Sequence, residues 1–282
     1  GFGAGSNLGA GAASGRYLAF LNPDTVVESG WLDQLVAALE ADPSAGVATA
    51  KILLLADAGR INTCGNDVHY TGLALCRGMG LEREALDDTA EVGAVSGAAF
   101  AIRKELFEAL GGFDEEFFLY MEDTDLSWRA RLAGLRCVCV PGSCVRHDYS
   151  LRFGSQKTYY QERNRYLMLL KNLRWETWLV LWPSLLLAEV VTWGFVVLKD
   201  GAHWTNKVRA YVWIARHWGE VMASRKRAQA LRRVKDRDIL ARCTTSLAYQ
   251  QTGEGFVTRA ASWVFDPLFS ILYRATLLLV RW

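Results

Sequence analysis

The stretch YLAFLNPDT, residues 17 to 25, runs through five apolar residues and then stops in Asn22, Pro23 and Asp24. An apolar run without alternation suits a strand covered on both faces, as in a parallel sheet. Pro23 fixes its own φ and pushes Asn22 towards an extended conformation. The Asp24 carboxylate then stands stiffly at the carboxyl end of a strand, where open α/β sheets bind ligands. A rigid carboxylate there suits a hard divalent cation, and the cation suits a diphosphate. The same residues also read as a plain turn in which Asp24 bonds nearby backbone, and the stretch alone leaves both readings open.

Upstream lies GFGAGSNLGAGAASG, residues 1 to 15. It is not a dinucleotide fingerprint: the sixth residue counted from Gly1 is Ser6, from Gly3 Leu8, and from Gly9 Ser14. No strand precedes it and no GKS or GKT follows, so a phosphate-binding loop is excluded as well. It predicts a short helix of small residues capped near Ser6 or Asn7. The sequence starts at Gly1 inside this segment, whereas an α/β domain ordinarily starts with a strand, so we expect further sequence upstream in the natural protein.

Downstream, WLDQLVAALEA (31–41) has helical spacing and stops before Asp42-Pro43. GVATAKILLL reads as a second strand, and INTCGNDVHYTGLALCRGMG as a hairpin rich in turn residues. AVSGAAFAIRKELFEALGGF reads as a strand and then a helix ended by Gly111-Gly112. EEFFLYMEDTDLSWRARLAGLRCVCVPG follows as loop, helix, a stop at Gly134, and strand. This alternation to about residue 150 predicts an α/β domain with a mostly parallel sheet. After Asn172 the chain becomes apolar and then basic, which places a boundary between residues 1–172 and 173–282.

The 282 residues are 51% hydrophobic, with eleven tryptophans and a net charge of only +2. That balance argues against nucleic acid as the partner, since the basic residues cluster beside apolar helices after Lys199. The six cysteines are too few for a disulfide scaffold and read as reduced cytosolic thiols. Cys137, Cys139 and Cys144 with His147 fit no zinc-finger spacing and read as strand residues.

Two further motifs carry chemistry. In YMEDTDLSWRARLAG (120–134), Glu122, Asp123 and Asp125 open a helix, where the macrodipole favours acids, and Asp125 can pair with Arg129. The apolar run FFLYM directly before them brings the acids to the sheet edge, where one can act as a general base. Arg129 and Arg131 can neutralise phosphates. In PGSCVRHDYS (141–150), His147 follows a strand and a turn; a lone histidine is more often structural than a ligand.

Taken together, GFGAGSNLGAGAASGRYLAFLNPDT, VSGAAFAIRKELFEALGGFDEEFFLYMEDTDLSWRARLAG and RHDYS resemble the family 2 glycosyltransferases, and within them the bacterial rhamnosyltransferase-like branch. The resemblance covers residues 1 to about 172. It implies the GT-A nucleotide-diphospho-sugar transferase fold, incomplete here because two strand–helix units that hold the nucleotide base in the family are missing. NPD stands where the family has its Asp-x-Asp metal motif, with Asn22 in place of the first acid and Asp24 as a ligand of Mg²⁺ or Mn²⁺. His147 matches the late metal-ligand histidine and Asp123 the catalytic base. Glu122 falls on the acceptor side, and Gly97 in the loop beside donor sugar and acceptor. The implied reaction is a metal-dependent, inverting transfer of a sugar from a nucleotide-diphospho-sugar to a cell-surface glycan or lipid-linked acceptor; NPDT leans towards rhamnose. A nucleotidyltransferase on a similar sheet and a catalytically inactive membrane-associated fragment are the rival readings.

Residues 178–198, WLVLWPSLLLAEVVTWGFVVL, would measure roughly 31 Å as a helix, enough to cross a bilayer. A single crossing would leave the basic segment 199–262 outside, against the tendency of basic loops to stay cytoplasmic. It would also bury Glu189 in lipid at a cost of about 2 to 3 kcal/mol. We therefore expect helices lying in or on the cytoplasmic leaflet of the inner membrane, with Trp175, Trp178, Trp182 and Trp193 near the interface. Arg225, Lys226, Arg227, Arg232 and Arg233 would then face anionic lipid head groups.

Overall fold

The computed structural model describes residues 1–149, 156–199, 201–249 and 256–282; Ser150, the last residue of the RHDYS motif, lies outside them. The chain forms two compact units. One comprises Gly1–Asp67, Cys76–Leu151 and Leu231–Arg233, and the other Val68–Leu75, Arg152–Ala230 and Val234–Trp282.

The first unit is built from α1 (Phe2–Ala12), β1 (Tyr17–Leu21), β2 (Thr25–Val27), α2 (Trp31–Ala41), β3 (Ala45–Leu54) and β4 (Ile61–Thr63). After β5 (Asn66–Val68) and β6 (Ala74–Cys76), a separate two-stranded ribbon, come β7 (Ala90–Glu91), β8 (Ala99–Arg103), α3 (Lys104–Ala109), α4 (Glu122–Leu132) and β9 (Arg136–His147). α1 starts at Phe2 rather than near Ser6. Asn7 instead makes a reciprocal bridge to Phe113, donating to its carbonyl at 3.0 Å and accepting from its N–H at 2.9 Å.

The main sheet runs β1-β8-β3-β9-β2. It is mixed, and this corrects the expectation of a mostly parallel sheet. β3 and β9 are parallel from Ala45↔Arg136 to Leu54↔His147, whereas β8 runs antiparallel to both β1 and β3. The reason lies in the connection: parallel neighbours need a crossover, usually helical, whereas the stretch between β3 and β8 is short strands and turns that return the chain to the edge it left. β1 buries Leu18 and Phe20 on one face and leaves Ala19 and Leu21 exposed on the other, so the expected cover on both faces is absent.

Helices cover both sheet faces. On one side Leu35 and Leu39 of α2 pack with Ala101, Val138 and Val140. On the other, Leu126 and Ala130 of α4 join Phe20, Phe100, Phe107 and Phe113. Phe20 stacks on Phe100 at 4.7 Å and meets Phe107 and Phe113 at 5.2 and 5.3 Å. Rings so packed anchor the ends of β1 and β8, and truncating one costs about 3–5 kcal/mol. α4 ends at Gly134, whose φ of +85° only glycine adopts freely. Cys137, Cys139 and Cys144 lie in β9, as the strand reading expects.

The second unit is helical: α5 (Lys157–Asn172), α6 (Trp175–Lys199), α7 (Trp204–Arg216), α8 (Trp218–Ala230), α9 (Asp236–Leu240) and α10 (Phe256–Leu279). Its interior holds a charge network. Lys207 Nζ lies 2.8 Å from Glu162 and 2.9 Å from Glu189, Arg165 bridges the same two carboxylates, and Tyr211 donates to both. Arg225 does not face lipid: its guanidinium caps α5 by donating to the Leu170 and Leu173 carbonyls and lies over the Trp175 ring at 4.2 Å.

Candidate active site

β1, β3 and β9 end on the same sheet edge, and β8 begins there: Leu21 pairs with Ala99, and Leu54 with His147. Register then does the assembling. Thr25 pairs with His147 across β2 and β9, and the Asp148 N–H donates to the Asp24 carbonyl at 3.0 Å. The two side chains meet, with Asp24 Oδ1 3.3 Å from His147 Nε2. Asp24 is half exposed at its side chain while His147 is nearly buried, so the pair presents a wet carboxylate in front of a fixed ring.

His147 is oriented from behind. Nδ1 lies 3.1 Å from Oδ1 of Asn62, a β4 residue that is 2% exposed. Nδ1 therefore carries the proton as donor, and Nε2 is left facing the carboxylate, the arrangement typical of a metal-ligating histidine. Asp24 and His147 fit a divalent cation as two ligands. Among the described residues no group of three His, Cys, Asp or Glu could hold a metal ion, so further ligands would come from substrate oxygens and water, as is usual for Mg²⁺-type sites.

The second half of the site is the carboxylate pair at the start of α4. Asp123 Oδ2 accepts from the Gly97 N–H at 2.7 Å, and Oδ1 accepts from the Thr124 N–H at 2.7 Å and its hydroxyl at 3.2 Å. Burial pushes Asp123 above the usual carboxylate range, against these donors, which favour the charged form. Glu122 is 8% exposed, and burial, followed by the Asp123 charge, pushes it up to about 8. Its Oε2 is buried with no hydrogen-bond partner. Burial thus biases both acids towards their protonated forms, and the backbone and hydroxyl donors oppose that bias at Asp123.

The backbone leading in is strained. Phe118, Tyr120 and Met121 have φ of 58°, 67° and 68°, a left-handed region that non-glycine residues rarely enter. From the first turn of the helix Asp123 reaches the Gly97 amide just before β8. Gly97 allows a close approach: a Cβ there would stand 3.2 Å from Asp123 Oδ2, so the carboxylate would have to give way by a few tenths of an ångström. The two halves are joined through this loop: the Asn22 N–H donates to the Ala98 carbonyl at 2.9 Å, one residue from the Gly97 amide that holds Asp123. Asn22, Asp24, Gly97, Glu122, Asp123 and His147 therefore share one edge.

Arg129 and Arg131 do not join them, which corrects their expected contact with a diphosphate. Arg129 is buried, pairs with Asp125 at 2.8 Å and donates to the Leu110 and Gly112 carbonyls at 2.6 and 2.7 Å. Arg131 donates to Glu91 at 3.1 Å and to the Gly93 and Val92 carbonyls. Both lie in the last turn of α4 and are buried, their guanidinium forks satisfying loop carbonyls. Sequence reasoning missed Asn62 and Ser127. Ser127 Oγ accepts from the Val95 N–H at 3.1 Å and donates to the Asp123 carbonyl at 2.7 Å, tying the Gly97 loop to α4. Only the i,i+4 spacing from Asp123 hinted at Ser127, and nothing local marked Asn62.

The carboxylate–histidine pair and the acid pair are thus carried by one mixed α/β sheet and the helix packed on it. The family model described as glycosyl transferase family group 2 matches residues 17–223, and the chain belongs to that family. Membership bears out the resemblance in the sequence. Among similar curated proteins are the O-antigen biosynthesis protein RfbC of Myxococcus xanthus, 34% identical over 51% of this chain and 12% of its own length. An N-acetylglucosaminyl-diphospho-decaprenol L-rhamnosyltransferase of Mycobacterium tuberculosis is 46% identical over 20% of this chain and 18% of its own length. The chain thus spans well under a third of each relative's length. Solved structures with a distant likeness include GalNAc-T7 with UDP, GalNAc and Mn²⁺ (TM-score 0.46, 19% identity, 58% of this chain and 33% of that one). Another is a mannosyltransferase from Pyrobaculum calidifontis with GDP-Man and Mn²⁺ (TM-score 0.40, 15% identity, 99% of this chain and 65% of that one).

Proposed function

We propose that this chain carries the catalytic centre of an inverting glycosyltransferase that moves a sugar from a nucleotide-diphospho-sugar to a cell-surface glycan or lipid-linked acceptor. Rhamnose is the sugar to test first, on the strength of the L-rhamnosyltransferase relative. The observation that carries the reading is the joining of Asp24–His147 to Glu122–Asp123 through the adjacent residues Ala98 and Gly97.

Asp24 Oδ1 and His147 Nε2 would hold a divalent cation, which when bound neutralises charge on the departing diphosphate. Asn62 keeps the imidazole turned towards that position. Asp123 accepts the proton of the acceptor hydroxyl as it attacks, while Glu122 stays protonated beside it and offers a donor to the acceptor. The Gly97 amide fixes the base. The proposed attack from the side opposite the diphosphate gives inversion. A nucleotidyltransferase has no use for this paired acid and base on the acceptor side.

The decisive experiment is Asp123→Asn in the full protein. Turnover falls by about 10² to 10⁴, the contribution of a positioned base, while nucleotide-sugar affinity stays near that of the wild type. Wild-type turnover in the variant would remove Asp123 from the mechanism.

A further inference from the structure

α6 and α10 pack on each other in the second unit, and each leaves one long apolar face exposed. On α6 it runs through Trp175, Leu179, Trp182, Leu186, Val190 and Val197, at helical spacing. On α10 the corresponding face carries Trp263, Val264, Leu268, Ile271 and Leu278; Leu179 is 79% exposed and Trp263 87%. Residues Trp175–Leu198 are long and apolar enough to cross a membrane, yet only about a quarter of their best window is buried within the protein.

The distribution of charge identifies what covers this face. The acids within the two apolar runs are held by internal donors. Glu189 is bound by Lys207, Arg165, Tyr166 and Tyr211, and Asp266 accepts from Ser246 Oγ at 2.8 Å and the Leu247 N–H at 3.3 Å. The charged residues at exposed positions of α10, among the described side chains, are the cations Arg259 and Arg274. On α6 the exposed charge is Glu176, confined to the first turn. An apolar face that holds Glu189 and Asp266 inward, shows a carboxylate only at Glu176 in the first turn of α6, and carries Arg259 and Arg274 on α10 is complementary to an anionic lipid leaflet, where arginine stems lie along acyl chains and their heads reach phosphates.

We propose that the α6–α10 face docks in the plane of an anionic bilayer leaflet, with both helices lying flat. In-plane docking follows from the opposite side of α6. The network of Glu162, Arg165, Glu189 and Lys207 would sit at mid-bilayer depth if α6 crossed the membrane, and lies on the protein side of the interface if α6 lies flat. The docking is independent of the transfer chemistry.

Flotation of the purified full chain with phosphatidylcholine vesicles, with and without phosphatidylglycerol, tests it. The chain floats with the vesicles, several-fold more with the anionic lipid. Leu179→Glu with Val190→Glu, and separately Ile271→Glu, lower partitioning about tenfold or more with the thermal melt retained. Arg259→Gln with Arg274→Gln spares binding to neutral vesicles and cuts the anionic preference by about fivefold per arginine. Lipids brominated near the head group quench tryptophan emission, and Trp182→Phe and Trp263→Phe each remove part of that quenching. No flotation, self-association through this face without flotation, unchanged partitioning of the folded Leu179→Glu/Val190→Glu variant, or quenching confined to mid-bilayer bromines would each overturn the proposal.

Discussion

Replacing Glu122 by Gln isolates the energetic consequence of burying two acids side by side. In the folded chain Glu122 titrates at about 8 rather than 4.5, because burial and the neighbouring Asp123 both oppose its charge. Each pH unit of that difference is worth about 1.4 kcal/mol, so the ionised form costs at most about 5 kcal/mol. Its coupling to Asp123 shares part of that sum, leaving about 2–5 kcal/mol. The sign follows from the raised acid value. Below pH 4.5 both folded and unfolded chains hold the proton and nothing is lost. Between 4.5 and about 8 the unfolded chain has released it and the folded chain has not, so stability falls as pH rises. Above 8 the loss is complete. Glu122→Gln, neutral throughout, should match the wild type near pH 4 and exceed it by about 2–5 kcal/mol at pH 9. Urea melts at half-unit pH steps would measure this, with the residual slope due to Asp123 retained in both proteins. Parallel pH profiles for wild type and variant would refute the assignment of the proton to Glu122.

Gly97→Ala places a Cβ 3.2 Å from Asp123 Oδ2 and displaces the base, so turnover should fall at least about tenfold with the melting temperature little changed; full activity would show that the contact relaxes harmlessly. Arg129→Leu strands Asp125, which is fully buried, and should cost about 3–5 kcal/mol in denaturant melts, while nucleotide-sugar affinity in the folded variant is unaffected; lost affinity at unchanged stability would restore the phosphate role. Asp24→Asn and His147→Ala should each weaken Mn²⁺ binding, followed by the loss of its free-ion paramagnetic resonance signal, by about tenfold or more; unchanged binding would place the cation elsewhere.

The local elements were legible because their signals are local. Trp31–Ala41 forms the helix that its apolar spacing and the following Asp42-Pro43 prescribe, and α4 stops at Gly134 because the backbone there needs a positive φ. Family membership was legible too, since the stretches whose resemblance suggested it fall largely within the matched residues 17–223. What the sequence could not carry was direction. An apolar strand does not announce its neighbours' orientation, so the antiparallel course of β8 and the exposed edge of β1 emerged only in the assembled sheet. Arg129 and Arg131 follow the acid pair on the same helix yet face inward, because position on a helix fixes which side of the fold an arginine meets. Asn62 reached His147 through strand register across 85 residues, a pairing that only tertiary structure creates. Glu189 shows the same division: residues 178–198 read as an apolar stretch with one acid, and packing decided that the acid would find Lys207 and Arg165 while Trp182 faced out and Trp178 turned in to the Leu169 carbonyl.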